Sequence, residues 1–303
     1  MDDIKNLLLA VGLSLLVFYL YEIFYAAPLQ EKEAERAAAM QEAAEPAGTG
    51  LASGDLAAPE TASAVPAAPV EAAPDVPPVP IDSPRLLGGI SPKGAKIDQV
   101  ILKDYFDKIG AGAENIELLR PGNGEGAYTA EFGWVGPANG EAALPGPDTL
   151  WRVEGEKLTA ETPVTLVWEN GQGLTFRQTF AVDTNYLITV AQSVENASDA
   201  PVTLAPYGRI RRIGTPATLG FFILHEGPLG VFEGKLTEID YGELAEETQQ
   251  EFATSGGWLG FTDKYWLAAL IPDQTAPVRA RFVHQLVQGR DVYQANYVAV
   301  AAV

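Results

Sequence analysis

The chain has 303 residues, and its 40 acidic against 20 basic residues give a formal charge of −20. This balance argues against a nucleic-acid partner, because phosphate binding needs a basic face that releases counterions. There is no cysteine, which excludes disulfides, iron–sulfur clusters, thiol catalysis and cysteine-based zinc sites. The length allows one large domain or two smaller ones.

The first 27 residues contain a long apolar segment. Nearly every residue between Ile4 and Tyr25 is apolar, and a helix of that length is about long enough to cross a ~30 Å hydrocarbon core. Tyr19, Tyr21 and Tyr25 lie at its C-terminal end, where aromatic rings favour the membrane interface. The sequence predicts an uncleaved transmembrane anchor at 1–27 with a cytoplasmic N-terminus. A cleaved signal peptide is the alternative, although its apolar region would be unusually long.

Residues 28–84 are rich in alanine, proline and glutamate. Stretches such as 65–69 and 75–80 place proline among small or aliphatic residues. A segment with so few large apolar side chains cannot offset its ordering entropy, and frequent proline favours an extended tether. We therefore predict a disordered linker over 28–84, with a proline-rich docking motif as the alternative.

The remaining residues, 85–303, alternate polar and apolar side chains with the period of a β-strand. In 162–182, two β-rich runs flank Asn170-Gly171, which predicts a hairpin. Residues 241–250 are the best helical candidate and could equally form a polar loop. Many short strands separated by Gly, Pro and Asn predict an antiparallel sandwich or barrel. Further strands are predicted over 95–103, 186–194, 202–207, 210–213, 229–232 and 278–283.

Residue types that carry out chemistry are sparse in this region. His225 and His284 are the only histidines and stand far apart in the sequence. Since neither has a second imidazole nearby, we predict isolated histidines and no metal site. No serine stands in a Gly-x-Ser-x-Gly elbow, and the glycine-rich stretch 120–126 is predicted to be a loop and not a phosphate site. The sequence predicts no catalytic residue, no metal and no cofactor.

The densest basic cluster of the folded region comprises Arg209, Arg211 and Arg212. On a strand, Arg209 and Arg211 would share one face. That face could contact an anion or a partner protein. The interpretation that we favour is cross-strand pairing with acidic neighbours on a half-exposed sheet.

The most distinctive run of the chain is Gly-Gly-Trp-Leu-Gly-Phe-Thr-Asp-Lys-Tyr-Trp-Leu at 256–267. Its paired glycines permit a positive φ or a close backbone approach, and its aromatic rings can anchor a core. We predict a central packed strand pair here and not a catalytic loop.

This run resembles the signature of the periplasmic domain of bacterial YidC-type membrane protein insertases. The order of the other segments agrees, because an anchor and an Ala/Pro-rich linker precede stretches such as 90–97, 185–188 and 207–210 that resemble the same family. The resemblance covers the anchor and most of the folded region. The residues that carry the signature are Gly256, Gly257, Trp258, Lys264, Tyr265 and Trp266.

The resemblance implies a mainly β fold, a large twisted antiparallel β-sandwich of the mutarotase-like supersandwich type, preceded by one transmembrane helix. In that family, a later bundle of five transmembrane helices inserts nascent proteins into the inner membrane through a groove that carries an arginine. No position of this sequence matches that arginine. The chain would then be the front part of a longer insertase, with its sandwich, 85–303, truncated within a strand at 297–303.

The resemblance also implies partners, namely the Sec translocon with its accessory subunits, nascent inner-membrane proteins and the membrane itself. On this hypothesis the chain is an anchor, a tether and a periplasmic interaction domain beyond about residue 27, and it is not an enzyme. The alternative is a membrane-tethered, mutarotase-like domain that binds or processes carbohydrate. That alternative requires a histidine paired with an acid at one face of the sandwich.

Overall fold

The computed structural model describes residues 76–137, 140, 142–216 and 225–300. The predicted anchor and most of the predicted linker lie outside these residues. No helix within the described ranges is long and apolar enough to span a membrane. The strands are β1 (Val79–Asp82), β2 (Leu86–Ser91), β3 (Lys96–Phe106), β4 (Asn115–Leu119), β5 (Tyr128–Val135), β6 (Arg152–Glu154), β7 (Val164–Glu169), β8 (Leu174–Val182), β9 (Ile188–Asn196), β10 (Ala205–Ile213), β11 (Gly227–Phe232), β12 (Lys235–Glu238), β13 (Gln249–Ser255), β14 (Trp258–Thr262), β15 (Leu267–Leu270), β16 (Pro277–Val287) and β17 (Arg290–Ala299), and the helix α1 is Tyr241–Glu247.

The strands form three antiparallel sheets. The large sheet has nine strands in the order β1-β2-β3-β5-β10-β17-β16-β13, with β4 paired to β3. The first small sheet has the order β6-β7-β8-β9, and the second small sheet has the order β12-β11-β14-β15. The prediction of a mainly β, antiparallel fold is confirmed.

Both small sheets pack on one face of the large sheet, called here the inner face. Trp134 of β5 contacts Phe176 of the first small sheet edge-on, with ring centroids 5.1 Å apart. Tyr128 of the same strand contacts Phe261 of the second small sheet at 6.3 Å. Because alternate residues of a strand share a face, Trp134 and Tyr128 both point inward, and all four rings belong to one continuous core.

The opposite side of the large sheet, the outer face, carries two small buried clusters. Ala127, Ile213 and Val292 form one of them. Val135, Ala205 and Val298 form the other. Neither cluster contains a residue of a small sheet, so the outer face is not part of the sandwich core.

The first strand corrects the predicted domain boundary, since β1 lies inside the range 28–84 that the sequence assigned to a linker. Val79 and Ile81 point into the core and are buried, and Pro80 lies opposite Gly89 of β2. Proline is tolerated there because β1 is the edge strand of the large sheet. The proline content that suggested a tether therefore concealed a short edge strand.

Several predicted elements are present with changed bounds. The hairpin at 162–182 is confirmed as β7 and β8, and the Asn170 Oδ1 atom accepts a hydrogen bond of 3.0 Å from the backbone N–H of Leu174. The two strands predicted at 202–207 and 210–213 are the single strand β10. The glycine between them, Gly208, is not a break, because a Cβ there would lie 2.6 Å from the Tyr297 ring.

Two further predictions concern the last third of the chain. The helix predicted at 241–250 exists but stops at Glu247, and β13 begins at Gln249. In the stretch 297–303, β17 ends at Ala299, and residues 301–303 lie outside the described part of the chain.

Candidate functional site

The run at 256–267 forms β14, a turn and the start of β15. Gly256 and Gly257 have φ angles of 75° and 84°, and a Cβ on Gly257 would lie 2.0 Å from the carbonyl oxygen of Val231. Only glycine meets both demands, so this pair sets the entry into β14, where Trp258 lies opposite Val231. The predicted strand pair is present, but β15 is an edge strand and not a central one.

The turn between β14 and β15 projects aromatic side chains. The backbone N–H of Asp263 donates to the carbonyl oxygen of Trp266 at 2.8 Å, which closes the turn. At its tip, Lys264 Nζ lies 4.7 Å from the centroid of the Tyr265 ring, and Tyr265 is 71% exposed. Trp266 is half-buried against Tyr105, with centroids 4.9 Å apart. The turn thus offers one exposed ring and one anchored ring.

An apolar cavity of about 410 Å³ lies between the two small sheets, over the inner face of the large sheet. We call this cavity the apolar section of a cleft, which also has a polar section described below. One wall is the stretch 186–188 at the start of β9, and the other is the stretch 265–270 from the β14–β15 hairpin. Its floor is formed by large-sheet residues that include Ile97, Val100, Ala130, Phe132 and Ile210.

The rim of the apolar section exposes large apolar side chains. They are Tyr105, Tyr186, Leu187, Tyr265 and Leu267, and each is at least 40% exposed. Tyr186 is held in place, because its hydroxyl donates to Asp104 Oδ2 at 3.0 Å and accepts from the Arg85 guanidinium at 3.2 Å. An apolar patch of this kind around a cavity is typical of a binding site.

Beyond Leu118 and Trp266, which line both cavities, the cleft continues into a polar section of about 430 Å³. Arg212 of β10 donates to Asp263 Oδ1 at 2.7 Å, and its guanidinium lies 4.9 Å from the centroid of the Tyr128 ring. Burial raises the pKa of the Tyr128 hydroxyl above its ordinary value. The ionisable residues that line this section are Glu117, Arg120, Glu125, Tyr128, Arg212 and Asp263.

The arginine cluster of β10 divides between the two faces of the large sheet. Arg209 lies on the outer face and pairs with Glu131, directly opposite on β5. This is the cross-strand pairing that the sequence favoured. Arg211 shares that face without a carboxylate partner among the described residues, and burial, reinforced by the charge of Arg209, lowers its pKa. Arg212, which the sequence placed in the cluster but not on the candidate contact face, is the arginine that reaches the cleft.

The histidines are paired with acids, so the prediction of isolated histidines is wrong. His284 Nε2 lies 2.8 Å from Asp291 Oδ1, and the ring packs on Tyr293. His225 Nδ1 lies 3.7 Å from Asp240 Oδ1. Neither pairing was visible in sequence spacing, since Asp291 comes from the neighbouring strand β17 and Asp240 from the residue before α1. Throughout the described ranges, no group of three or more His, Asp or Glu is arranged to hold a metal.

Residues 78–303 match the YidC periplasmic domain family. The chain belongs to the YidC family. The match begins one residue before Val79, where β1 starts. Structure and family therefore agree that the folded domain begins inside the range first assigned to the linker.

Three full-length YidC relatives extend the comparison. Membrane protein insertase YidC of Beijerinckia indica subsp. indica is 42% identical over 292 residues, which is 93% of this chain and 48% of that protein. The protein of the same name from Nitrobacter hamburgensis is 41% identical over 98% of this chain and 49% of its own length. That from Ruegeria pomeroyi is 42% identical over 98% of this chain and 51% of its own length. The chain thus spans about half the length of these relatives.

Proposed function

We propose that this chain is the periplasmic interaction domain of a membrane protein insertase, together with its anchor and tether. The observation that carries the proposal is the apolar section of the cleft, built in part by the signature run at 256–267. Membership of the YidC family supports it, as do the relatives named membrane protein insertases. The site binds polypeptide and does not catalyse a reaction.

The apolar section suits transient binding of an apolar segment. Transfer of one Leu, Ile or Phe side chain from water into such a cavity contributes about 1.5–3 kcal/mol. Ordering an extended segment offsets much of that gain. A cavity of about 410 Å³ takes only a few such side chains. Binding would therefore be weak and reversible, as a chaperone that must release its client requires.

We also propose the layout of the chain in the bacterial inner membrane. Residues 1–27 anchor it, the stretch from 28 to about 77 tethers it, and the domain lies in the periplasm beside the Sec translocon and its accessory subunits. A tether of this length spans up to about 170 Å when fully extended. The nine-stranded sheet, covered on one face by two four-stranded sheets, supports a mutarotase-like supersandwich.

Site-specific photocrosslinking tests the proposed client site. A photoreactive phenylalanine analogue is placed at Leu187, Tyr265 or Leu267, on the rim of the apolar section. Leu236 and Leu286 are matched controls, because they are exposed apolar residues of β12 and β16 that do not line the cleft. Inner-membrane vesicles then carry out synthesis of a defined, radiolabelled polytopic membrane protein.

The expected result is a crosslink from the three rim positions to the labelled nascent chain and little or none from the two controls. Equal crosslinking from all five positions would contradict a dedicated site, and so would no crosslink from the rim. The same vesicles, probed with antibodies to Sec subunits, test the proposed neighbours. Failure to recover any Sec subunit from any surface position would remove the Sec translocon from the proposal.

A further inference from the structure

One carboxylate of the polar section, that of the exposed residue Glu125, has no ionic partner in the described part of the chain. Arg212 pairs with Asp263, and Arg120 pairs with Glu117 at 2.9 Å. Glu125, by contrast, makes no ion pair or hydrogen bond with any residue in the described ranges. Its carboxylate rests on the backbone of Gly214, where a Cβ would lie 1.8 Å from Oε1. Glycine at 214 thus leaves the space that Glu125 occupies on the cavity wall.

The same section contains a buried hydroxyl that has no hydrogen-bond partner among the described residues. Tyr128 is only 4% exposed, it lines the polar section, and its hydroxyl makes no hydrogen bond with any residue that the structure describes. An unsatisfied buried polar group costs about 1–3 kcal/mol, which a ligand that donates a hydrogen bond would recover. Because burial keeps this phenol neutral, its hydroxyl can both accept and donate a hydrogen bond. The unsatisfied hydroxyl is an observation independent of the ionic groups of the polar section.

A cationic group complements the charge and the hydrogen-bonding capacity of the polar section. The section has three carboxylates against two guanidiniums, which leaves one net negative charge. An ammonium or guanidinium group would pair with Glu125 and donate to the Tyr128 hydroxyl, and the Trp266 ring at the boundary offers a face for a cation. A carboxylate would face Glu125 unfavourably, whereas a purely apolar ligand would leave Tyr128 unpaired.

We propose that the polar section binds a basic side chain that flanks the apolar segment held in the apolar section. The inference rests on the proposed function of the cleft. Leu118 and Trp266 line both sections, so an extended peptide, which advances about 3.3 Å per residue, can reach from one into the other. The cleft would then select an apolar stretch by the lysine or arginine beside it.

Three peptides test the selection. They share one apolar nonapeptide with blocked termini and differ only in a flanking lysine, glutamine or glutamate. Binding to the full chain is measured by fluorescence anisotropy in nanodiscs of uncharged lipid, and the signal from empty nanodiscs is subtracted. We expect the lysine peptide to bind roughly fivefold more tightly than the glutamate peptide, with glutamine between them. The ratio should shrink as salt screens the charges.

Two charge-matched variants locate the effect. Glu125→Gln removes the unpaired carboxylate and should bring the lysine-to-glutamate ratio close to one. Glu156→Gln makes the same change of charge on an exposed residue of the β6–β7 loop, outside the cleft, and should leave the ratio unchanged. Circular dichroism confirms that both variants are folded.

Each other outcome has a defined meaning. Equal binding of the three peptides would overturn the inference while the proposed function stands. A lysine preference that survives Glu125→Gln would also overturn it, because the overall charge of −20 would then be the cause. Tighter binding of the glutamate peptide would show that the guanidiniums dominate the section, which again overturns it. If no peptide binds, the proposed function itself fails.

Discussion

Two arginines of β10 lie three residues apart and serve different parts of the molecule. Arg209 on the outer face pairs with Glu131, and both residues are less than 10% exposed. Arg212 on the inner face pairs with Asp263, whose side chain is 30% exposed at the wall of the polar section. Burial of an arginine therefore does not by itself mark a functional site. The adjoining cavity makes the difference.

The neighbours across the sheet explain the contrast. Arg209 belongs to a row of directly opposed residues that crosses six strands, and the charges in this row mostly alternate. Arg212 instead lies between two aromatic residues, Tyr128 and Tyr293. The polar row helps to fix the strand register, whereas the aromatic neighbours leave Arg212 free to project toward the cleft. The row comprises Lys96, Glu131, Arg209, Asn296, Arg281 and Glu251.

The largest expected effect comes from breaking the outer pair. Arg209→Met should lower the free energy of unfolding by about 3–5 kcal/mol, because Glu131 is left charged and buried. The double variant Arg209→Met/Glu131→Leu should recover most of this loss, since no unpaired charge remains. Urea denaturation followed by tryptophan fluorescence measures both. Equal losses in the single and double variants would contradict this account of the pair.

Arg211→Met is the matched control for that experiment. Arg211 shares the strand and the face of Arg209 but has no carboxylate partner in the described part of the chain. Removal of its charge leaves no buried anion behind. We therefore expect the free energy of unfolding to change by less than about 1 kcal/mol.

Alkaline pH should lower the free energy of unfolding through a buried tyrosine on each face, and by a smaller amount per residue than breaking the outer pair. Burial raises the pKa of Tyr207 on the outer face and of Tyr297 on the inner face to about 12 each, and the charge of Glu131 adds to the shift of Tyr207. The folded pKa lies above the unfolded value of about 10, so the stability from each neutral phenol is present below pH 10 and lost between pH 10 and 12. Each tyrosine accounts for about 2–3 kcal/mol.

Two variants assign this alkaline loss of stability to individual tyrosines. Tyr297→Phe should remove one such contribution between pH 10 and 12, because burial is the sole cause of its shift. Arg209→Met should raise the Tyr207 pKa further, since the guanidinium lowers it, and should leave the contribution of Tyr297 unchanged. Urea midpoints recorded at intervals between pH 8 and 12 test both. An unchanged alkaline loss in Tyr297→Phe would refute the assignment.

Local pattern predicts much of this fold, because the alternation of strands and the turn preference of Asn-Gly are properties of neighbouring residues. The hairpin at 162–182 and the strand pair at 256–270 follow from such signals. The start of the domain does not follow from local pattern, because an edge strand tolerates Pro80 and its sequence therefore resembles a linker. Gly208 had the opposite effect: two strands were predicted where there is one, because a glycine required by ring packing resembles a strand break.

The cleft could be predicted only in part. The run at 256–267 stood out and supplies Asp263 and Trp266. The other walls come from distant segments, such as Glu117 of β4 and Glu125 in the stretch 120–126 that the sequence assigned to a plain loop. Their meeting depends on how the sheets pack, which no local pattern encodes. The assignment of Arg212 to the cleft similarly needs the register of β10 and the position of the second small sheet.

Breaking the inner pair should cost less stability than breaking the outer pair. Arg212→Met should cost about 1–2 kcal/mol, the sum of a partly solvated ion pair and the cation–π contact with Tyr128. Asp263 is exposed enough to regain water, so no buried anion remains. The variant should also increase the preference for the lysine-flanked peptide, since the polar section loses a positive charge. A loss of stability equal to that of Arg209→Met, without a change in peptide preference, would mean that the two arginines have the same structural role.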